Sequence, residues 1–215
     1  MDKRKKATYE KMTAGNIFIF CILCLLVIVF LYPILFIGIN SFKGKFFISS
    51  NPFALPNSET FVGISNYITG LIKTGFLGAI GWSLFITIFS VALIILFTSM
   101  TAYYITRVKG VITGALYMIF VFSMIVPFQM VMFPMVSLAD KLKMNNPVGM
   151  SLLYLGFGAG LSVFMFSGFV KSIPIEIEEA AMIDGCSPLQ TFFGVVFPIL
   201  KPTAITVAIL NAMWV

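Results

Sequence analysis

The feature that most constrains this chain is the recurrence of apolar runs long enough to cross a bilayer. A helix rises about 1.5 Å per residue, so crossing about 30 Å of hydrocarbon takes roughly 20 apolar residues. Lipid offers no hydrogen bonds to an open backbone, which leaves such a run little choice but to be helical. Four runs meet the length, at residues 16–39, 76–104, 111–136 and 148–170. A fifth begins near residue 203 and is still apolar at Val215, so the sequence is expected to be truncated. With 60% hydrophobic and 10% charged residues, the chain falls far outside the composition of a water-soluble domain, where about 25% are charged. The fold class expected is all-α, a polytopic transmembrane bundle forming one membrane domain over residues 16–215 behind a basic tail at 1–15.

Charge placement orients the bundle and excludes partners. The net charge of +6 includes Lys3, Arg4, Lys5, Lys6 and Lys11 in that short tail, which suits an anionic membrane surface better than nucleic acid. The first run is too long for a secretory h-region and no A-x-A site follows, so it reads as a retained anchor. With the tail inside, the inner segments carry Arg107, Lys109, Lys171 and Lys201 besides the tail, against Lys43, Lys45, Lys73, Lys141 and Lys143 outside. The expected location is thus a membrane, crossed several times, with a cytoplasmic N-terminus. Residues 41–75 contain Asn51-Pro52, Leu55-Pro56-Asn57 and Gly63, and read as an outer loop of turns with room for a short interfacial helix. The chain has no His, and Cys21, Cys24 and Cys186 form no metal or disulfide framework.

Function concentrates between the fourth and fifth runs, at residues 172–198. Ser172 can cap a helix, Pro174 falls in its first turn, and Glu176, Glu178 and Glu179 put negative charge near the positive end of its dipole. Gly185 can take the left-handed conformation that ends it. Ser187 can then cap, and Pro188 open, a second short helix running to Phe197-Pro198. Ala180 and Ala181 present a low surface that a partner can approach, beside carboxylates suited to pairing with Arg. The unit is built for recognition.

The spacing Glu179-Ala180-Ala181, three residues, Gly185, nine residues, Val195, one residue, Phe197-Pro198 resembles the EAA loop of ABC-importer permeases. The family favours Ile and Leu where Val195 and Phe197 stand, and its sugar branch often has Ala in place of Cys186. Resemblance to that carbohydrate branch, the maltose-like and glycerol-phosphate-like permeases of type I importers, extends over residues 82–214. It includes Ser83-Leu84, Ala102-Tyr103, Arg107, Pro127-Phe128-Gln129, Pro134, Ile173-Pro174, Ile183-Asp184-Gly185 and Leu200-Lys201-Pro202. The resemblance implies a six-helix transport subunit, not an enzyme. It would pair with a second permease subunit, two cytoplasmic ATPases and an extracellular solute-binding protein. Glu179, Ala180, Ala181, Asp184, Gly185 and Pro198 carry over as the ATPase-docking residues, with Glu179 pairing a base of the ATPase. No G-x-x-x-x-G-K-[ST] loop occurs, so ATP and Mg are expected on the partner and no cofactor or metal on this chain.

A solute path needs polar groups that lipid would waste. Candidates are Gln129, Tyr154 and Asn211, with Ser83, Thr87 and Ser123 behind them. Gln129 is a long amide two residues after Pro127 in the third run, where a kink frees backbone groups. An interhelical hydrogen bond is the competing reading of Gln129. Tyr103, Tyr104 and Arg107 read as an interfacial anchor, and the 24 Phe and 13 Met as lipid contact and packing. The alternative function is a secondary transporter or channel working without an ATPase, weakened because every Asp and Glu falls outside the spans.

Overall fold

The computed structural model describes residues 14–215; the basic tail lies largely outside them. Those residues belong to two compact units, divided between Leu77 and Gly78.

The first unit holds α1 (Ala14–Ser41), α2 (Lys45–Ser50) and α3 (Ser65–Lys73). At 28 residues, α1 is about 42 Å long and exceeds the hydrocarbon thickness. Its best 18-residue apolar window has no buried side chain, as suits a helix that can face lipid. The outer loop is tied by backbone pairs from Gly44 N to Thr60 O and from Val62 N to Phe42 O, both 2.9 Å. Asn57 Oδ1 accepts from Thr60 N at 2.9 Å and so shapes the turn between them. Lys43 is 1% exposed, an unusual place for an ammonium. Its Nζ donates to Asn40 Oδ1, Asn51 O and Pro52 O at 3.0–3.3 Å, using all three donors of the group. The loop expected from Pro and Gly punctuation is therefore present, with two short helices in it.

The second unit carries α4 (Phe76–Arg107), α5 (Val111–Ser123), α6 (Phe128–Lys141), α7 (Pro147–Val170), α8 (Ile175–Ile183), α9 (Pro188–Thr191), a π-helical turn (Phe192–Val196), α10 (Phe197–Ile199) and α11 (Lys201–Trp214). Two of these, α4 and α7, cross by length and composition. The third run is not one helix: α5 and α6 meet at 105°. Pro127 bars its predecessor from the helical region and itself sits extended at φ −62°, ψ 135°. Alone, α5 is about 20 Å long and too short to span. The fifth run likewise follows a 74° bend between Pro188–Ile199 and α11, so the described residues hold three spanning helices, or five spans if each bent pair counts as one.

The core of this unit is Ile94, Ala102, Val163, Phe166, Val170, Ile173, Phe192, Val196, Leu200 and Val207. Small residues let α7 approach its neighbours: a Cβ on Gly158 would meet Ile94 and Asn211, and one on Gly160 would meet Phe120 O and Ser123. Close backbone approach is how helices associate when lipid provides no hydrophobic drive. The π turn has a cause too. Pro198 has no N–H for the carbonyl four residues back, and the ladder ahead of it widens so that Phe197 N reaches Phe192 O.

Candidate functional site

The loop between α7 and α11 is a helix-turn-helix with its stop signals in place. In α8, Glu176 and Glu178 stand in the first turn, where the dipole favours them. Gly185 takes φ +89°, the Cys186 N–H bonds Ala181 O and the Gly185 N–H bonds Met182 O, both 3.0 Å. That is a Schellman ending, which satisfies carbonyls the helix would otherwise orphan. Ser187 and Gln190 then form a reciprocal capping box at α9, with Pro188 at its first helical position. The start of α8 differs from expectation. Pro174, not Ser172, is the N-cap, and the Ser172 hydroxyl donates back to Phe169 O at 2.7 Å.

One carboxylate of the loop is buried, and it is not Glu179. Glu178 is 2% exposed. Its Oε1 accepts from Arg107 Nε at 2.9 Å, its Oε2 accepts from the Tyr103 hydroxyl at 2.9 Å, and Arg107 also donates to Ile173 O at 2.9 Å. Arg107 and Tyr103, read from sequence as an interfacial anchor, also clamp the 172–198 loop to the end of α4. Below the clamp, the Tyr103 and Phe192 rings pack 5.2 Å apart. The signal that could have found this is helical spacing: Glu178 and Ala181 are three apart and share the buried face, while Glu179, Met182 and Ile183 share the exposed one.

The outward face of the loop comprises Glu179, Ala180, Asp184, Gly185 and Pro198, all exposed. Ala181 belongs to the buried face, so only one residue of the Ala pair is available to a partner; the helical repeat turns the two about 100° apart. Ile183 is 86% exposed beside the turn, an apolar side chain without cover on this chain.

The solute-path candidates are not brought together. Gln129 is exposed in the first turn of α6 rather than deep in a continuous third span, because the 105° bend intervenes. Ser83 is exposed and Thr87 half-buried on α4. Asn211 is buried, and its Nδ2 donates to Ser162 Oγ at 3.2 Å and Val207 O at 2.9 Å, joining α11 to α7. It lines a cavity of about 460 Å³ with Ser123, Phe128, Phe157, Leu161 and Trp214. Around Trp214 stand Phe128, Tyr154 and Phe157, with ring centroids 5.7–6.0 Å away. Sequence reasoning assigned the Phe residues to lipid and missed this aromatic wall, because its members come from three helices.

The described residues thus form a polytopic helical bundle with a capped helix-turn-helix between spans. Residues 94–215 match the binding-protein-dependent transport system inner membrane component family, and the chain belongs to it. It is 40% identical over 85% of its length to the probable starch degradation products transport system permease protein AmyC of Thermoanaerobacterium thermosulfurigenes, covering 66% of that protein. With the multiple sugar-binding transport system permease protein MsmG of Streptococcus mutans it shares 33% identity over 96% of this chain and 70% of the relative. The fold matches a chain of a bacterial ABC transporter involved in the import of the acidic polysaccharide alginate, with a TM-score of 0.79 at 22% identity, over 95% of this chain and 72% of the other. The chain thus spans about two thirds of the length of these relatives, and the membership makes it a transport permease chain rather than an enzyme.

Proposed function

We propose that the chain is the transmembrane permease subunit of an ATP-driven importer of a sugar or sugar derivative, with its N-terminus and the 172–198 loop in the cytoplasm. The observation that carries this is the outward face of the loop. A doubly capped helix-turn-helix holds Glu179, Ala180 and a bare Ile183 outward while Glu178 ties its back to α4. Exposed apolar surface rimmed by charge marks a protein contact. The partners are a second permease subunit, two ATPases that bind ATP and Mg, and an external solute-binding protein. Sugar is favoured because relatives bear names such as melibiose/raffinose/stachyose import permease, besides the starch-product and multiple-sugar permeases. A transporter without an ATPase finds no such support.

Coupling follows from stiffness. The loop is continuous with α7 and α11 and is clamped to α4, so closure of the ATPases moves all three as a lever. Glu179 pairs with a base of the ATPase, Asp184 and Gly185 set the turn, and Pro198 ends the contact. The solute passes the aromatic wall, where Tyr154 and Asn211 stand near Trp214 and rings suit the apolar faces of sugars; Gln129, exposed on the first turn of α6, is a further candidate.

The test uses the complete permease purified with its natural partners. A phosphate-loop ATPase should co-purify, and Glu179→Arg and Gly185→Val should abolish solute-stimulated ATP hydrolysis and uptake. Normal coupling in both variants sinks the lever. Absence of any ATPase from the purified complex sinks the importer reading itself.

A further inference from the structure

At the loop end of the second unit, beside the clamp but separate from it, lies a cavity of about 330 Å³ among the ends of α4, α5 and α7. It is lined by Thr106, Lys109, Gly110, Thr113, Ser167 and Lys171 among others, and no carboxylate is among its lining residues. Ser167 is 1% exposed, and its Oγ and the Oγ1 of Thr106 are both buried without a hydrogen-bond partner. Buried hydroxyls are rarely left so, and both residues line this cavity. The cavity also opens on the first turn of α5, whose N-cap is Gly110 and offers no side-chain acceptor. The leading N–H groups of that 13-residue helix have no partners within it and carry the positive end of its dipole. Lys109 and Lys171 are exposed at the rim, and among the described residues neither is paired with a carboxylate. Lys171 Nζ is held 5.2 Å from the Tyr117 ring centroid.

We propose that this cavity binds the phosphate of an anionic phospholipid headgroup. Its donors are ammonium, hydroxyl and backbone N–H groups spread in three dimensions, which matches a tetrahedral anion with several acceptor oxygens better than a planar carboxylate. The source is lipid because the site sits at the ends of α4 and α7, both long and apolar enough to cross a membrane, and beside it Val111 and Ile112 are 91% and 77% exposed. Acyl chains can cover those side chains while the headgroup enters between the lysines. Because Lys171 directly precedes the docking loop and Lys109 follows Arg107, a bound headgroup braces the base of the lever. The site is independent of which solute is carried.

The experiment takes the complete permease in its native complex, in nanodiscs of phosphatidylcholine alone or mixed with phosphatidylglycerol. Wild type should retain phosphatidylglycerol in native mass spectra and gain thermal stability from it. Lys109→Gln combined with Lys171→Gln should bind it about thirtyfold more weakly, two surface cations' worth of attraction. Ser167→Ala should weaken retention with both lysines intact, and Lys171→Arg should preserve it. Equal retention by wild type and the double variant overturns the site. So does displacement of the lipid by inorganic phosphate that alone reproduces the stabilisation, which makes the occupant a free phosphate. Release of a partner subunit from the double variant with lipid retention intact overturns it as well, since the rim is then a protein contact.

Discussion

At the loop end of the second unit, Glu178 is held by Arg107 and Tyr103, and caps close both short helices beside it. At the aromatic cavity, Trp214 meets Phe128, Tyr154 and Phe157, and the one side-chain hydrogen bond between helices there is Asn211 to Ser162. The first region is directional and breaks when one partner is removed. The second is dispersive, and tolerates changes of shape better than intrusion of bulk. The proposed function draws on both: a lever that does not yield and a wall that can rearrange around cargo.

The contrast can be broken most sharply at the clamp. Arg107→Ala leaves a buried carboxylate unpaired and should cost about 3–5 kcal/mol, read as loss of thermal stability in detergent. Arg107→Met combined with Glu178→Leu should recover most of that loss but uncouple transport, which separates stability from coupling. At the aromatic end, Gly158→Ala places a Cβ 2.6 Å from Asn211 Oδ1 and Ile94 Cδ1, so those side chains must shift; about 1–3 kcal/mol is expected. Equal tolerance at both sites would end the distinction. Ser187→Ala removes the capping box and should cost about 1 kcal/mol, visible as faster amide exchange across α9 and the π turn. The smallest effect on stability belongs to Glu179→Gln, within about 0.5 kcal/mol because the side chain is exposed, while ATPase stimulation falls. A stability loss comparable to that of Arg107→Ala would place Glu179, not Glu178, in the clamp.

Much of the site was legible because its signals are local. Gly185 at positive φ, Ser187-Pro188 at a helix start and acidic residues in the first turn of α8 each follow from a few neighbouring residues. Ser172 failed as a cap because its hydroxyl found Phe169 O, leaving the start to Pro174. Helical spacing groups Glu178 with Ala181, but that Arg107 and Tyr103 close on that face from 71 and 75 residues away was not legible. Pro127 marked a break in the third run, but the size of the bend depends on the end of α5 lying against Gly160 of α7.

By itself the sequence determined that this chain is a helical membrane protein with a capped loop between its fourth and fifth apolar runs. Span length and backbone hydrogen bonding in lipid admit little else, and caps act over one turn. Only the tertiary structure decided that the loop is bolted to α4 through Glu178, that the third run folds back on itself, and that three helices share an aromatic wall. Those outcomes are contacts between residues distant in sequence, and burial there selects one partner among chemically equivalent candidates.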